Sequence, residues 1–71
     1  MMVLFKAKIG CKSKIKTVSG NDKVRNFLFS LGCSEGEEIT LISVLAGNYI
    51  INIKDSRYAI DKKMAQSIEL V

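Results

Sequence analysis

Short runs of alternating apolar and polar residues recur along this chain, and a period of two is typical of β-strands that bury one face. In the most regular of these runs Tyr49, Ile51 and Ile53 share a face. Proline is absent, so nothing in the sequence forbids regular hydrogen-bond ladders between the runs. The five strands that the pattern predicts cover residues 12–17, 38–44, 49–54, 57–61 and 67–70.

One segment follows the helical period instead. Its apolar positions stand at i, i+3, i+4 and i+7 and form a single stripe, Val24, Phe27, Leu28 and Leu31. Asn21 and Asp22 can supply the N-cap ahead of this stripe, and Gly32 stands where a left-handed residue would end the helix. The spacing therefore predicts a helix between Gly20 and Gly32 whose buried face includes Phe27.

Turn signals separate the predicted strands. Residues 45–48 (Leu-Ala-Gly-Asn) are typical of a hairpin, residues 55–56 predict a second tight turn, and residues 62–66 allow about one helical turn. Ser34 and Glu37 have the spacing of a helix capping box. Because β-branched residues in alternation follow, we interpret this segment as a turn that leads into a strand.

These elements predict a mainly β fold. Five short strands and one helix in a chain of 71 residues cannot bury their apolar faces as a flat sheet with two open edges, whereas closure solves both problems. We therefore expect a small five-stranded barrel with one short α-helix inserted after the first strand and a short helical turn before the last. A chain of this length builds one core, so we expect residues 1–71 to form a single domain.

The net charge of +4 is distributed unevenly along the chain. Residues 1–25 hold seven Lys and Arg against one acid (+6), whereas residues 26–71 hold four against six acids (−2). Within the first part, Lys12, Lys14 and Lys16 alternate along one predicted strand and share a face. This face is either a solvated outer surface or a basic patch for phosphate or anionic lipid, and the sequence leaves both open.

The residue types present restrict the chemistry. Histidine is absent, which excludes imidazole catalysis and His-ligated metal sites. Without a secretory leader, Cys11 and Cys33 are expected to be reduced thiols rather than a disulfide, and neither lies in a motif that supplies a base. Glu35, Glu37 and Glu38 either meet a hard cation or form a solvated turn.

No segment of the sequence is long enough to cross a membrane. The longest uninterrupted apolar run covers residues 1–5, far short of the roughly 18 residues that a spanning helix needs. The lysines follow this run instead of preceding it as they do in a signal peptide. We therefore expect a cytoplasmic protein without a membrane span of its own.

Three residues off the predicted core faces are candidates for partner contacts. Phe29 falls about 100° from the helix stripe, beside Arg25, and either covers the rim of the core or anchors a partner. Leu45 stands at the tip of the predicted hairpin. Arg25, Phe29 and Leu45 are therefore the predicted partner-binding residues.

A basic strand, an arginine-led helix and a turn into the next strand follow one another in a specific order. Residues 25–32 read Arg-Asn-Phe-Leu-Phe-Ser-Leu-Gly, and residues 35–39 read Glu-Gly-Glu-Glu-Ile. This order, which continues through residues 57–60 and 68–70, resembles the FeoA family of ferrous iron transport accessory proteins. The sequence departs from the family pattern at Ser34 and Glu35, where proline often precedes the glycine.

The resemblance implies a cytoplasmic SH3-like barrel that is not an enzyme and has no bound cofactor of its own. It also associates the domain with transition metal ions, although no residue of this sequence is predicted to be a metal ligand. It also implies a partner, FeoB, the membrane ferrous iron transporter with a GTP-hydrolysing domain, whose cytosolic region this domain would contact. The same fold resembles the C-terminal domain of diphtheria-toxin-repressor-type metalloregulators. The alternative is therefore a nucleic-acid-binding or metalloregulator-type interaction domain that uses Lys12, Lys14 and Lys16, although nucleic acid is not the expected partner. Weak self-association is compatible with so small a domain.

Overall fold

Six β-strands and two α-helices make up the computed structural model, which describes residues 2–71. In chain order the strands are β1 (Met2–Val3), β2 (Lys12–Val18), β3 (Glu38–Leu45), β4 (Asn48–Ile53), β5 (Ser56–Asp61) and β6 (Ile68–Leu70). The helices are α1 (Asp22–Leu31) and α2 (Lys62–Ser67), and a short 3-10 helix covers Leu4–Lys6.

The strands form one antiparallel sheet in the order β1-β6-β2-β3-β4-β5. β2 joins the two halves of the sheet, because its first half pairs with β3 and its second half with β6. The register shifts between Ile15 and Thr17, and such bulges bend and twist a strand. Beyond the bend, the ring of Phe5, just after β1, meets the ring of Tyr49 on β4 with centroids 5.7 Å apart. The segment that follows β1 therefore lies against β4, near the other end of the sheet, so the sheet curls into a barrel.

The mainly β fold agrees with the sequence-based expectation, but the strand count is six rather than five. The additional strand, β1, is two residues long and lies in an apolar run without alternation, so the pattern could not reveal it. As a consequence, α1 follows the second strand and not the first. The short helix expected before the last strand is present as α2.

Two-residue turns connect β3 to β4 and β4 to β5. Ala46 and Gly47 form the first turn with φ angles of 50° and 81°, and Lys54 and Asp55 form the second with 50° and 63°. Positive φ at both central residues is the mark of a type I′ turn, whose twist matches that of paired strands. Both predicted turns are therefore confirmed, the second of them one residue earlier than expected.

The apolar faces of the strands meet in a single core. Tyr49, Ile51 and Ile53 share its buried face, as the alternation predicts. Leu28 is the only described residue of α1 that is buried. The buried apolar residues are Leu4, Ile15, Val18, Leu28, Cys33, Ile39, Leu41, Tyr49, Ile51, Ile53, Ile60, Ala65, Ile68 and Leu70.

Hydrogen bonds fix both ends of α1. At the first end, the Asn21 side chain accepts from the backbone N–H of Val24 at 2.9 Å. At the last end, Gly32 adopts a φ of 103°, and the N–H of Cys33 donates to the carbonyl oxygen of Leu28 at 3.0 Å. This left-handed ending favours glycine, and the two predicted caps are confirmed.

Candidate functional site

Helix α1 presents two phenylalanine side chains to solvent. Phe27 and Phe29 are each 43% exposed. At about 100° per residue, they lie on opposite sides of the buried Leu28. The prediction that Phe27 belongs to the buried face is therefore wrong. The barrel covers only the part of α1 that is centred on Leu28, with Val24 and Leu31 half-buried beside it.

Arg25 lies on the same side of α1 as Phe29. Its guanidinium carbon is 5.7 Å from the centroid of the Phe29 ring, and its Nη1 is 3.7 Å from Oδ1 of Asp22. A cation in this position is attracted by the negative face of the ring. Arg25 and Phe29 together form an exposed cationic and aromatic surface, which we call the Arg25–Phe29 surface.

The tip of the β3–β4 hairpin carries a second apolar surface. Leu45 is 69% exposed, and Val44 beside it is 43% exposed. Leu45 pairs with Asn48 across the type I′ turn, so it is held at the end of two strands. Leu45 thus lies off the core faces as expected, and its part in partner binding stays a prediction.

The Arg25–Phe29 surface and the hairpin tip are not one packed unit. Gly32 at the end of α1 lies beside Lys54, since a Cβ at Gly32 would be 3.2 Å from Lys54 Cδ. Lys54 directly follows the last residue of β4, at one end of that strand. Leu45 lies at the other end of β4, before the two turn residues that lead into it. The six residues of β4 separate them by roughly 20 Å. Within residues 2–71, no extensive packing joins α1 to β3.

The three lysines of β2 lie next to an acidic residue of β3. Lys12, Lys14 and Lys16 are exposed, while Ile15 between them is buried, so the predicted alternation is confirmed. The register places Glu38 opposite Lys14, and the Nζ atom of Lys12 is 3.9 Å from Oε1 of Glu38. An exposed ion pair of this kind adds little stability, but its carboxylate offsets part of the local positive charge. The predicted basic patch is therefore weaker than its lysine count suggests.

A second ion pair lies nearby, between Oε2 of Glu37 and Nζ of Lys54, at 3.8 Å. Both ion pairs border a cavity of about 150 Å³ that is lined by Lys12, Glu37, Glu38, Thr40, Asn52, Ile53, Lys54 and Asp55. Charges of both signs line this cavity. Two members of the predicted acidic cluster, Glu37 and Glu38, thus face lysines, which favours the solvated turn over a cation site.

Two features are missing from residues 2–71. No group of three or more His, Cys, Asp or Glu side chains is placed to hold a metal ion. Neither α-helix is long and apolar enough to cross a membrane, because the longer one, α1, has ten residues.

The two cysteines have different surroundings. Both thiols are free, and Cys11 is exposed whereas Cys33 is fully buried. Burial raises the pKa of the Cys33 thiol from 9.0 to about 11. Since the thiolate is the reactive form, Cys33 is a poor nucleophile at neutral pH. The two free thiols agree with the expectation that Cys11 and Cys33 are reduced and do not form a disulfide.

Two residues that shape these surfaces were not selected from the sequence. Phe27 satisfies the spacing of the buried stripe, so periodicity alone places it in the core. The ten-residue helix has five apolar positions, which is more than one narrow buried face holds. This excess was the sign in the sequence that some apolar side chains of α1 are exposed. Lys54 covers Gly32 and pairs with Glu37, and this contact depends on the tertiary position of the β4–β5 turn.

A protein-family model matches the chain over nearly its whole length. It is the model of the FeoA domain, and it matches residues 2–71. The chain belongs to the FeoA domain family. The resemblance seen in the sequence is therefore confirmed. A search of curated proteins gives no match for this FeoA domain.

Solved FeoA structures share the fold of this FeoA domain. The crystal structure of an iron uptake regulatory protein, FeoA, is 24% identical with a TM-score of 0.88, and the match covers 97% of this chain and 93% of that one. FeoA of Stenotrophomonas maltophilia, described as a prokaryotic SH3 domain protein complexed with zinc, is 18% identical with a TM-score of 0.88. That match covers 100% of this chain and 91% of the other. At these identities the likeness shows the fold, and the predicted SH3-like barrel is confirmed.

The fold also occurs as part of a transcriptional regulator. A manganese-dependent transcriptional repressor in complex with manganese is 18% identical with a TM-score of 0.90. The match covers 99% of this FeoA domain but only 35% of the repressor chain. The expected likeness to a metalloregulator domain is thus present at the level of fold.

Proposed function

We propose that this FeoA domain is a small accessory protein of ferrous iron transport. It acts as a single cytoplasmic domain without enzymatic activity and docks on the cytosolic region of a FeoB-type membrane transporter, where it modulates iron uptake. Family membership and the FeoA proteins of the same fold support the assignment to iron transport. The observation that carries the docking proposal is the exposed Arg25–Phe29 surface.

An aromatic side chain that projects from a helix is an effective anchor for a protein partner. Phe29 is 43% exposed, so its free area can still be buried in a partner pocket. Aromatic residues and arginine are enriched at protein interfaces, where lysine and acidic residues are depleted. The guanidinium of Arg25, 5.7 Å from the ring, fixes one side of Phe29 and offers donors to a partner carboxylate.

Leu45 provides a second contact for the same partner. A standard interface buries about 800 Å² on each partner, which corresponds to a patch on the order of 30 Å across. The molecule measures 27 × 24 × 24 Å, so a single partner surface can reach both α1 and the hairpin tip. Two separated anchors also fix the orientation of the domain, which a single anchor does not.

The chemistry of the chain supports a binding role rather than catalysis. The sequence contains no histidine, and the buried Cys33 thiol stays protonated at neutral pH. A modulator that works through contacts alone needs neither group. Docking alters transport to the extent that the domain binds one state of the transporter more tightly than another.

The docking proposal is tested by titrating the domain against the purified cytosolic region of the transporter. We expect the Phe29→Ala and Leu45→Ala variants to weaken binding by about tenfold or more each, because truncated anchor residues cost about 1.4 kcal/mol or more. Calorimetry or surface plasmon resonance measures the dissociation constants. Circular dichroism establishes that each variant retains the fold.

Ile9 offers a matched control. It is an apolar side chain, 59% exposed, that belongs to neither candidate surface. The Ile9→Ala variant should bind like the parent protein. If both Phe29→Ala and Leu45→Ala also bind like the parent, these two residues are not the docking anchors.

A further inference from the structure

The turn that leads into β2 exposes an isoleucine at its apex. The N–H of Cys11 donates to the carbonyl oxygen of Lys8 at 3.3 Å, and Gly10 adopts a φ of 87°, as the third residue of a type II turn does. Ile9 therefore stands at the second position of the turn. It is 59% exposed, and within residues 2–71 it is the one isoleucine that is exposed. We call residues 8–11 the Ile9 turn.

A hydrogen bond attaches the Ile9 turn to the barrel. The N–H of Gly10 donates to the carbonyl oxygen of Leu41 on β3 at 2.7 Å. The side chain of Leu41 is buried, and β2 begins directly after the turn, where Lys12 pairs with Thr40. Ile9 thus projects from a backbone that is held at both the turn and the strand. A side chain on a fixed backbone loses less conformational entropy when it is buried by a partner.

Lysines flank Ile9 on both sides. Lys6 and Lys8 precede it, Lys12 follows it, and all three are exposed. The first 21 residues of the chain contain no acid. Lys12 has a carboxylate neighbour, Glu38, at 3.9 Å, whereas Lys6 and Lys8 make no ion pair with another described residue. The apolar apex is therefore surrounded by positive charge that is only partly offset.

We propose that the Ile9 turn contacts the surface of an anionic phospholipid bilayer. Ile9 enters the boundary between the headgroups and the acyl chains, and the flanking ammonium groups lie at the level of the lipid phosphates. Apolar side chains next to lysines are typical of proteins that bind a membrane surface without spanning it. This contact is additional to docking on the transporter and does not depend on it, because the partner is the lipid itself.

The apolar apex favours a bilayer over nucleic acid as the polyanion. A nucleic acid presents mainly phosphate and sugar to a surface of this kind, and neither offers an apolar layer for an isoleucine. A bilayer presents phosphates at its surface and acyl chains directly beneath them. Along β2, in contrast, Ile15 between Lys14 and Lys16 is buried, so that part of the lysine face lacks an apolar side chain to insert.

The contact is weak and reversible. Each lysine near an anionic surface strengthens binding by roughly fivefold. Partial burial of one isoleucine adds on the order of tenfold. The combined association constant is expected to stay below the roughly 10⁴ M⁻¹ that a single myristoyl chain provides. Where the proposed docking holds the domain at a membrane transporter, the two contacts act together and strengthen each other through the effective concentration.

A fluorescent side chain at the apex tests the insertion directly. The chain contains no tryptophan, so the Ile9→Trp variant has a single indole reporter. We expect its emission to shift to shorter wavelength with phosphatidylcholine vesicles that contain about one-third phosphatidylglycerol, but not with phosphatidylcholine alone. Lipids brominated in the acyl chains should quench it. Phe29→Trp places the same indole on α1 and should show neither effect.

The native side chains are tested by sedimentation of the chain with the same anionic vesicles. Ile9→Ser should weaken the partitioning by about tenfold, and Lys8→Gln by about fivefold. Leu45→Ser changes another exposed apolar side chain, and Lys23→Gln removes the same charge from an exposed position on α1. Both control variants should partition like the parent. Circular dichroism establishes that each variant retains the fold.

Four results would overturn the proposal. The first is parent-like sedimentation of Ile9→Ser, and the second is binding that is equal for neutral and anionic vesicles or absent from both. The third is displacement from the vesicles by inorganic phosphate at matched ionic strength, which indicates a phosphate site. The fourth is binding of duplex DNA that is lost in Ile9→Ser. The transporter titration contains no lipid, so Ile9→Ala stays neutral there and the two proposals can fail independently.

Discussion

Single residues fix how α1 meets the barrel, and Gly32 is the most constrained of them. Its φ of 103° lies in a region that side chains with a Cβ rarely adopt. A Cβ at this position would also lie 3.2 Å from Lys54 Cδ and 3.3 Å from its Cε. Because Lys54 is long and flexible it can move aside, so the backbone conformation sets most of the cost of a substitution.

We expect Gly32→Ala to lower the free energy of unfolding by about 1 to 2 kcal/mol, since alanine must adopt a strained left-handed conformation. Urea denaturation measures the change. Gly36→Ala is the matched control, because Gly36 has a φ of 82° and a Cβ at its position would meet nothing within 4 Å. The difference between the two variants reports the Lys54 contact, and it should vanish in a Lys54→Ala background. A Gly32→Ala protein as stable as the parent would contradict this account.

The buried Cys33 thiol links stability to alkaline pH. Its pKa is raised to about 11 in the folded chain, against 9.0 for an unperturbed thiol, because burial disfavours the thiolate. Below pH 9 both states are protonated, and the stabilisation is fully present. Between pH 9 and 11 only the unfolded chain loses its proton, so the free energy of unfolding falls by roughly 2 to 3 kcal/mol in total.

This pH dependence is measured by urea denaturation at intervals between pH 8 and pH 11. Lysines and tyrosines titrate in the same range, so the informative quantity is the difference between the parent and Cys33→Ala. Cys33→Ala should be less stable at pH 8 and lose less stability on the way to pH 11. Cys11→Ala removes an exposed thiol and should follow the parent curve. Parallel curves for the parent and Cys33→Ala would contradict the assignment.

At the scale of elements, α1 is attached through a narrow contact. Leu28 is the only described residue of the helix that is fully buried, and Val24 and Leu31 are half-buried on one side of it. The Asn21 cap and the left-handed Gly32 hold the two ends. This arrangement leaves Phe27 and Phe29 free, so the same helix serves both packing and presentation of apolar side chains.

We expect Leu28→Ala to cost about 2 to 5 kcal/mol of stability, as other buried leucine truncations do. In a domain of this size that is a large share of the total, so thermal unfolding monitored by circular dichroism should show a strongly lowered midpoint. Phe27→Ala removes a larger side chain from the same helix but at a 43% exposed position. It should cost less than about 1 kcal/mol. Equal losses in the two variants would mean that α1 packs differently.

The elements that could be predicted from the sequence are those whose signals are local. The two hairpins follow from turn residues and alternation, and the ends of α1 follow from Asn21 and Gly32. β1 could not be predicted, because it is two residues long and exists through pairing with β6, at the far end of the chain. The exposure of Phe27 could not be predicted either, because it depends on how much of α1 the barrel covers.

At the scale of the whole molecule, strand pairing determines which charged side chains lie next to one another. The sequence places a charge of +6 in residues 1–25, which by itself indicates a basic surface. Pairing of β2 with β3 then brings Glu38 to 3.9 Å from Lys12. This neighbour could not be read from the sequence, because the register joins segments that are more than twenty residues apart. The fold therefore lowers the positive charge of the basic patch that the linear charge pattern suggests.

Nucleic acid is accordingly expected to bind weakly. At most the three lysines of β2 can contact phosphates. In a plot of the logarithm of the association constant for duplex DNA against the logarithm of the salt concentration, the slope should therefore be no steeper than about −2.7. No binding should remain near 150 mM salt. Fluorescence anisotropy with mixed DNA and RNA measures this dependence. Glu38→Gln removes the neighbouring carboxylate and should increase the residual low-salt affinity, whereas Glu69→Gln, the same change on β6, should have a smaller effect. Micromolar binding that persists near 150 mM salt would instead favour a nucleic-acid-binding role for the Lys12, Lys14 and Lys16 face.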